Sequence, residues 1–204
     1  MGSESGAARV ALPVVERTEF GFRRTRCGCP DCSVSCRYVP GFLVPADLKR
    51  LMGAAGMWEH PVNRFLWACA HLRASPGALV AVRSPGGGWN RVRVPTLVPA
   101  RQADGMACHW LAADGGCGVH DNSPYGCAMF DAHLADAEAN QRSMAGIQAV
   151  AAAWNERHEY AELWEQLTRM GLSAPGPNDS RQKMQEEIGV THPAWSSRPE
   201  SRDE

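Results

Sequence analysis

The sequence lacks a bias of charge: 21 Lys and Arg stand against 22 Asp and Glu, a formal net charge of -1. A balance so even gives no general attraction to nucleic acid or to a membrane surface. It lacks any run of 18 apolar residues, so no bilayer-spanning helix is expected. Its first twenty residues, MGSESGAARVALPVVERTEF, hold no basic stretch followed by an apolar run, so no secretory signal is expected and the cytoplasm is the expected compartment. Gly6 stands where the myristoylation pattern needs Ser or Thr. A P-loop, G-x-G-x-x-G, G-x-S-x-G and H-E-x-x-H are all missing, and with them the usual marks of nucleotide, dinucleotide, serine-hydrolase and zinc-protease chemistry.

Cysteine is what the sequence has in quantity. Of eight cysteines in 204 residues, seven fall into two blocks. The first, CGCPDCSVSC over residues 27–36, holds Cys27, Cys29, Cys32 and Cys36; the second, CHWLAADGGCGVHDNSPYGC, holds Cys108, Cys117 and Cys127. In a reducing compartment such density points to metal or redox chemistry before disulfides. Cys29-Pro30-Asp31-Cys32 reads as a C-x2-C knuckle that aims two sulfurs at one point. Cys27 and Cys29, two apart, share a side of an extended backbone. Gly28, Gly116, Gly118 and Gly126 flank cysteines and allow close backbone approach and N–H donation to sulfur. Clustered thiolates repel one another, and a metal cation removes that repulsion. Cys69 stands apart, among Phe65, Leu66, Trp67 and Leu72, and reads as a core residue.

Pro30, Pro40, Gly41 and Pro45 give the first block the character of a loop rather than a helix. Short helices are expected over residues 47–56 and 62–74, and a β-hairpin from ALVAVR and RVRV around SPGGGWN. In RVRV, alternation makes one face apolar and the other wet. CHWL and CGVH read as two short strands around Asp114-Gly115-Gly116. From His133 to Met170 an apolar stripe of Met144, Ile147, Val150, Trp154, Leu163, Leu167 and Met170 predicts one helix or two broken near Asn155, with Gly171 as the cap. The expected organisation is a flexible segment over 1–18, a cysteine-cluster domain over 19–172 and a mostly disordered tail over 173–204 with a helical turn near Met184. The fold class is α+β: a small antiparallel hairpin and Cys-rich loops packed on helices.

The two blocks, and above all the second in the form CHWLAADGGCGVHDNSPYGC, resemble the YkgJ-type cysteine-cluster family of zinc- or iron-chelating domains over roughly Phe20 to His133. The resemblance implies that Cys27, Cys29, Cys32 or Cys36, with Cys108, Cys117 and Cys127, bind the metal. Two departures stand out: C-x-C-x2-C-x3-C replaces a pair of adjacent cysteines, and Ser123-Pro124 replaces Arg-Pro before the last cysteine.

Ligand arithmetic leaves zinc and iron–sulfur both open. One tetrahedral zinc or one [4Fe-4S] cluster takes four thiolates and leaves three of the seven over. Two zinc ions take seven Cys and one of His109, His120 or His133. Each histidine taken singly reads as a surface or capping residue, and His120, between two cysteines, has the best claim. An all-Cys set shielded by Trp110, Tyr125 and Phe130 tilts the reading to iron–sulfur. Three functions compete: a metal-chelating protein, an iron–sulfur oxidoreductase or transferase acting on an unidentified small-molecule or protein partner, and a zinc-stabilised interaction module. Arg23, Arg24, Arg26, Arg37, Arg91 and Arg93 read as a solvated face offsetting thiolate charge, ahead of a nucleic-acid surface. Glu156, Glu159 and Glu162 read as a salt-laced helix surface.

Overall fold

The computed structural model describes residues 20–25, 29–103, 105 and 107–175. Within them the order is α1 (Pro30–Tyr38), α2 (Pro45–Ala54), α3 (Pro61–His71), β1 (Leu72–Arg83), β2 (Trp89–Pro99), a 3-10 turn (His120–Asn122), α4 (Tyr125–Ala128), α5 (Asp136–Asn155) and α6 (Glu159–Arg169). The two strands form one antiparallel sheet. The fold is α+β, as the sequence predicts, and among the described residues no helix is long and apolar enough to cross a membrane. The segments expected over 1–18 and near Met184, and Cys27 itself, lie outside the described residues.

The first block departs from expectation, because it is helical. Proline at the first helical position sacrifices no intrahelical hydrogen bond and presets φ, so Pro30 starts α1 rather than preventing it. Cys29 is the residue before the first turn, in extended conformation, Asp31 sits in the first turn and Arg37 in the last, each matching the helix dipole. Pro45 and Pro61 start α2 and α3 in the same way.

The hairpin is longer than ALVAVR and RVRV. β1 begins at Leu72, where α3 stops, and the Ser75-Pro76-Gly77 segment that reads as a helix end is strand. The register slips between Ser75 and Ala78, and Gly77 at the slip has φ +72 and lies against the Val94 carbonyl, where a Cβ would not fit. The half of the hairpin near the helices is buried. Its far half is open, with Trp89 71% exposed, and the expected apolar face of RVRV divides accordingly: Val94 is buried in the core and Val92 is exposed. Ser173 bridges to Ala74.

Arg157, at φ +50, breaks the C-terminal helical stretch into α5 and α6. Gly171, at φ +73, closes α6, with Leu172 N–H reaching back to the Leu167 carbonyl at 2.9 Å. Of the predicted stripe, Ile147, Val150, Leu163 and Leu167 are buried, whereas Met144 and Met170 face out. The core joins them to Leu43, Val44, Leu48, Met52, Leu72 and Leu97. Each such side chain removed from water contributes about 1.5–3 kcal/mol.

Two tyrosines pin this core. The Tyr160 hydroxyl donates to the Leu43 carbonyl at 2.8 Å and accepts from Leu97 N–H at 2.7 Å, tying α6 to both the 40s loop and β2. Burial, acting with the nearby Asp47 charge and against the Leu97 hydrogen bond, holds that hydroxyl protonated far above its ordinary range. The Tyr125 hydroxyl donates to the Arg142 carbonyl at 2.6 Å, anchoring α4 on α5.

Candidate metal centre

The second cysteine block is held mostly by bridges and turns, not by the two strands that CHWL and CGVH suggest. Cys108 pairs with Arg101 and Cys117 with Leu111, each in an isolated bridge, and His120 lies in the 3-10 turn. Gly115 at φ +80 makes the turn between them, with Ala112 N–H on the Gly116 carbonyl at 2.8 Å.

Three buried or half-buried polar residues seat this block on the helices. The Asp47 side chain is 0% exposed; its Oδ2 accepts from Val44 N–H at 2.9 Å and Tyr125 N–H at 2.8 Å, and its Oδ1 accepts from Arg50 Nη2 at 2.6 Å. Arg50 also donates to the Ser123 carbonyl at 2.8 Å. Arg24, 6% exposed, donates to the Asp121 carbonyl at 2.7 Å and to Ser123 Oγ at 2.8 Å. Arg24 is therefore a buried clamp on the loop between Cys117 and Cys127, not part of a solvated face. Ser123, where the resemblance expects Arg, is gripped by two arginines from elsewhere in the chain.

Gly41 and Gly126 bring backbone against backbone: a Cβ on Gly41 would strike Gly126 and the Cys127 amide, and one on Gly126 would strike Phe42. Gly126 N–H donates to the Phe42 carbonyl at 2.8 Å. That approach places the Cys127 sulfur 4.0 Å from the Gly41 carbonyl.

By these means Cys36 from the first block meets Cys108, Cys117 and Cys127 from the second. Cys108 N–H donates to the Cys36 carbonyl at 2.7 Å. Burial first, then the neighbouring thiols, pushes Cys127 well above its ordinary 9.0. Burial pushes Cys108 up to about 12, the Trp110 and Leu111 N–H groups opposing and Cys117 and Cys36 assisting. Cys36 rises through burial and Cys117. Cys117 rises through burial and Asp121, against the Val119 N–H and Arg24. Backbone N–H groups approach two of these four thiols, Trp110 and Leu111 at Cys108 and Val119 at Cys117.

Cys29 and Cys32 belong elsewhere. Cys29 precedes α1 and Cys32 lies in its first turn, so the knuckle is a helix N-terminus rather than a free turn. Their sulfurs and the His133 ring nitrogen all lie within 4.8 Å of one another, close enough to hold a metal ion. Cys29 Sγ is 3.4 Å from His133 Nε2. Ala132 N–H donates to Cys32 Sγ at 3.4 Å, and His133 N–H donates to Asp131 Oδ1 at 2.8 Å. The hydrogen bond to Cys29, then that thiolate's charge, raises His133 above its ordinary 6.5.

The histidine in reach of cysteines is thus His133, not His120. Burial and Arg24 lower His120 below 6.5, and the His109 ring packs on His71 and Trp110. Cys29 and His133 lie 104 positions apart, and no local pattern signals their meeting. Tyr125 is buried beside Phe20, Phe42 and Phe130 in the core, while Trp110 stacks on His71. Cys69 is half-buried against the core, as its surroundings in the sequence suggest. No disulfide joins two described cysteines. Comparison with family models, curated proteins and solved structures finds no match.

Proposed function

We propose that the protein is a metal-binding cysteine-cluster protein of the YkgJ type, and that Cys36, Cys108, Cys117 and Cys127 ligate a buried [4Fe-4S] cluster. The observation that carries this reading is the joining of the two blocks at these thiols, where Cys108 N–H donates to the Cys36 carbonyl at 2.7 Å and burial raises all four thiols. Two considerations favour a cluster over a single zinc. Tetrahedral zinc, with Zn–S near 2.3 Å, needs sulfurs about 3.8 Å apart, whereas thiolates of a multi-iron cluster sit on different metal atoms and stand further from one another. Among the described residues, the group that closes to within 4.8 Å is Cys29, Cys32 and His133, not these four. The cluster supplies electron transfer or, with an accessible iron, Lewis-acid chemistry. This chain's residues hold the sulfurs, direct N–H groups of Trp110, Leu111 and Val119 to them, and exclude water by burial. Purification without oxygen, followed by iron, sulfide and zinc analysis, tests the reading. Brown protein with iron and sulfide near four per chain supports it; a colourless protein with one zinc lost on Cys117→Ser establishes a zinc centre instead.

A further inference from the structure

We propose that Cys29, Cys32 and His133 form a second metal site, at the protein surface and separate from the four-thiol set, that takes a single divalent ion of borderline softness, zinc being the best match.

The spacing of the three donor atoms matches a single-ion site. With Zn–S near 2.3 Å and Zn–N near 2.0–2.1 Å at tetrahedral angles, sulfur and nitrogen stand about 3.5 Å apart; Cys29 Sγ and His133 Nε2 are 3.4 Å apart, and Cys32 Sγ completes the group within 4.8 Å. Two thiolates and an imidazole are a donor set that zinc accepts and that magnesium or calcium does not. Each donor is steadied by the backbone around it. Cys29 and Cys32 are fixed by the start of α1, Cys32 Sγ receives the Ala132 N–H, and the Asp131 carboxylate holds the His133 backbone.

Position sets this site apart from the four thiols. His133 is exposed and Cys29 and Cys32 are half-buried, whereas the other set has no exposed member, with Cys108 buried and Cys36, Cys117 and Cys127 half-buried. The split accounts for six of the seven block thiols, four at one centre and two with one histidine at the other, Cys27 lying outside the described residues. The inference extends the metal-binding reading above but stands on its own three residues, and it does not need the buried set to carry iron.

The test uses the full chain, purified without oxygen and then equilibrated with zinc or cobalt(II). Zinc per chain and the sulfur-to-cobalt charge-transfer absorbance are measured for the parent, His133→Ala, Cys32→Ser and Cys117→Ser. His133→Ala is the cleanest variant because the side chain is exposed and its loss leaves the core untouched. The expected result is that His133→Ala and Cys32→Ser each lose one zinc equivalent and part of the cobalt–thiolate band, with iron and sulfide unchanged. Unchanged zinc and cobalt signals in both variants would overturn the proposal. So would loss of iron and sulfide together with zinc in His133→Ala, which would make the two groups one centre. Cys117→Ser reports on the four-thiol set alone: loss of that set's metal, iron or a further zinc equivalent, with the His133-dependent zinc retained supports two sites, and loss of the His133-dependent zinc as well would overturn them.

Discussion

Cys36, Cys108, Cys117 and Cys127 are drawn from both blocks and sealed by Asp47, Arg24 and a glycine-to-glycine contact, while Cys29, Cys32 and His133 sit on a helix start and one loop at the surface. The first group was assembled by the fold; the second mainly by local geometry plus one long-range partner. Burial raises the thiols of the inner group, so that in the absence of a cation they keep their protons. The lesson of the contrast is that sealing a donor set makes metal part of the fold, whereas leaving it at the surface makes metal an occupant.

The sharpest way to break this contrast is Cys127→Ser. Structural metal in small domains contributes about 10–16 kcal/mol of apparent binding energy to folding, so we expect loss of the inner metal and of the cooperative thermal transition, followed by circular dichroism; His133→Ala should keep both. A slightly smaller effect comes from pH. Cys108 holds its proton to about 12, so loading the inner centre releases protons, and its metal affinity falls as pH falls, by up to about tenfold per pH unit for each proton displaced. A metal-free fold has the opposite slope: unfolded thiols ionise near 9.0 while Cys108 does not until about 12, so stability present below pH 9 is lost between those values. Proton release in weakly buffered titrations and chelator competition at two pH values check the first sign, and denaturant midpoints of metal-free protein the second.

Asp47→Ala removes the carboxylate shared by Arg50 and the Val44 and Tyr125 amides and should cost about 3–5 kcal/mol, read as a lower denaturation midpoint with weaker inner metal binding. Gly126→Ala forces a Cβ onto the Phe42 backbone and should cost about 1–3 kcal/mol, with the inner centre again the one affected. Cys69→Ala should change stability by about 1 kcal/mol and leave metal stoichiometry at the parent value; a fall in metal content would place Cys69 among the ligands.

Much of the scaffold was legible in advance because it is written in short-range patterns. The spacing of Ile147, Val150, Leu163 and Leu167 marks the buried sides of α5 and α6, and Gly171 marks their end. What escaped was the double meaning of proline. Pro30 and Pro76 both read as breakers, yet Pro30 opens α1 and Pro76 sits within β1 beside a bulge. For the site, the density of cysteine points to metal chemistry but says nothing of how the thiols partition. Which thiols group together depends on Gly41 meeting Gly126 and on His133 meeting Cys29, contacts spanning 85 and 104 residues that no local pattern announces. Arg24 was misread for a similar reason: its carbonyl and hydroxyl partners at Asp121 and Ser123 lie almost a hundred positions away.

Cys32 and Cys36 stand four positions apart on α1, hence one helical turn apart on the same face. A single rod thus reaches both donor groups. Whichever ion arrives first fixes that rod and removes conformational freedom the second would otherwise have to remove, so uptake at one end should tighten uptake at the other, and stripping the outer ion should loosen the grip on the inner one.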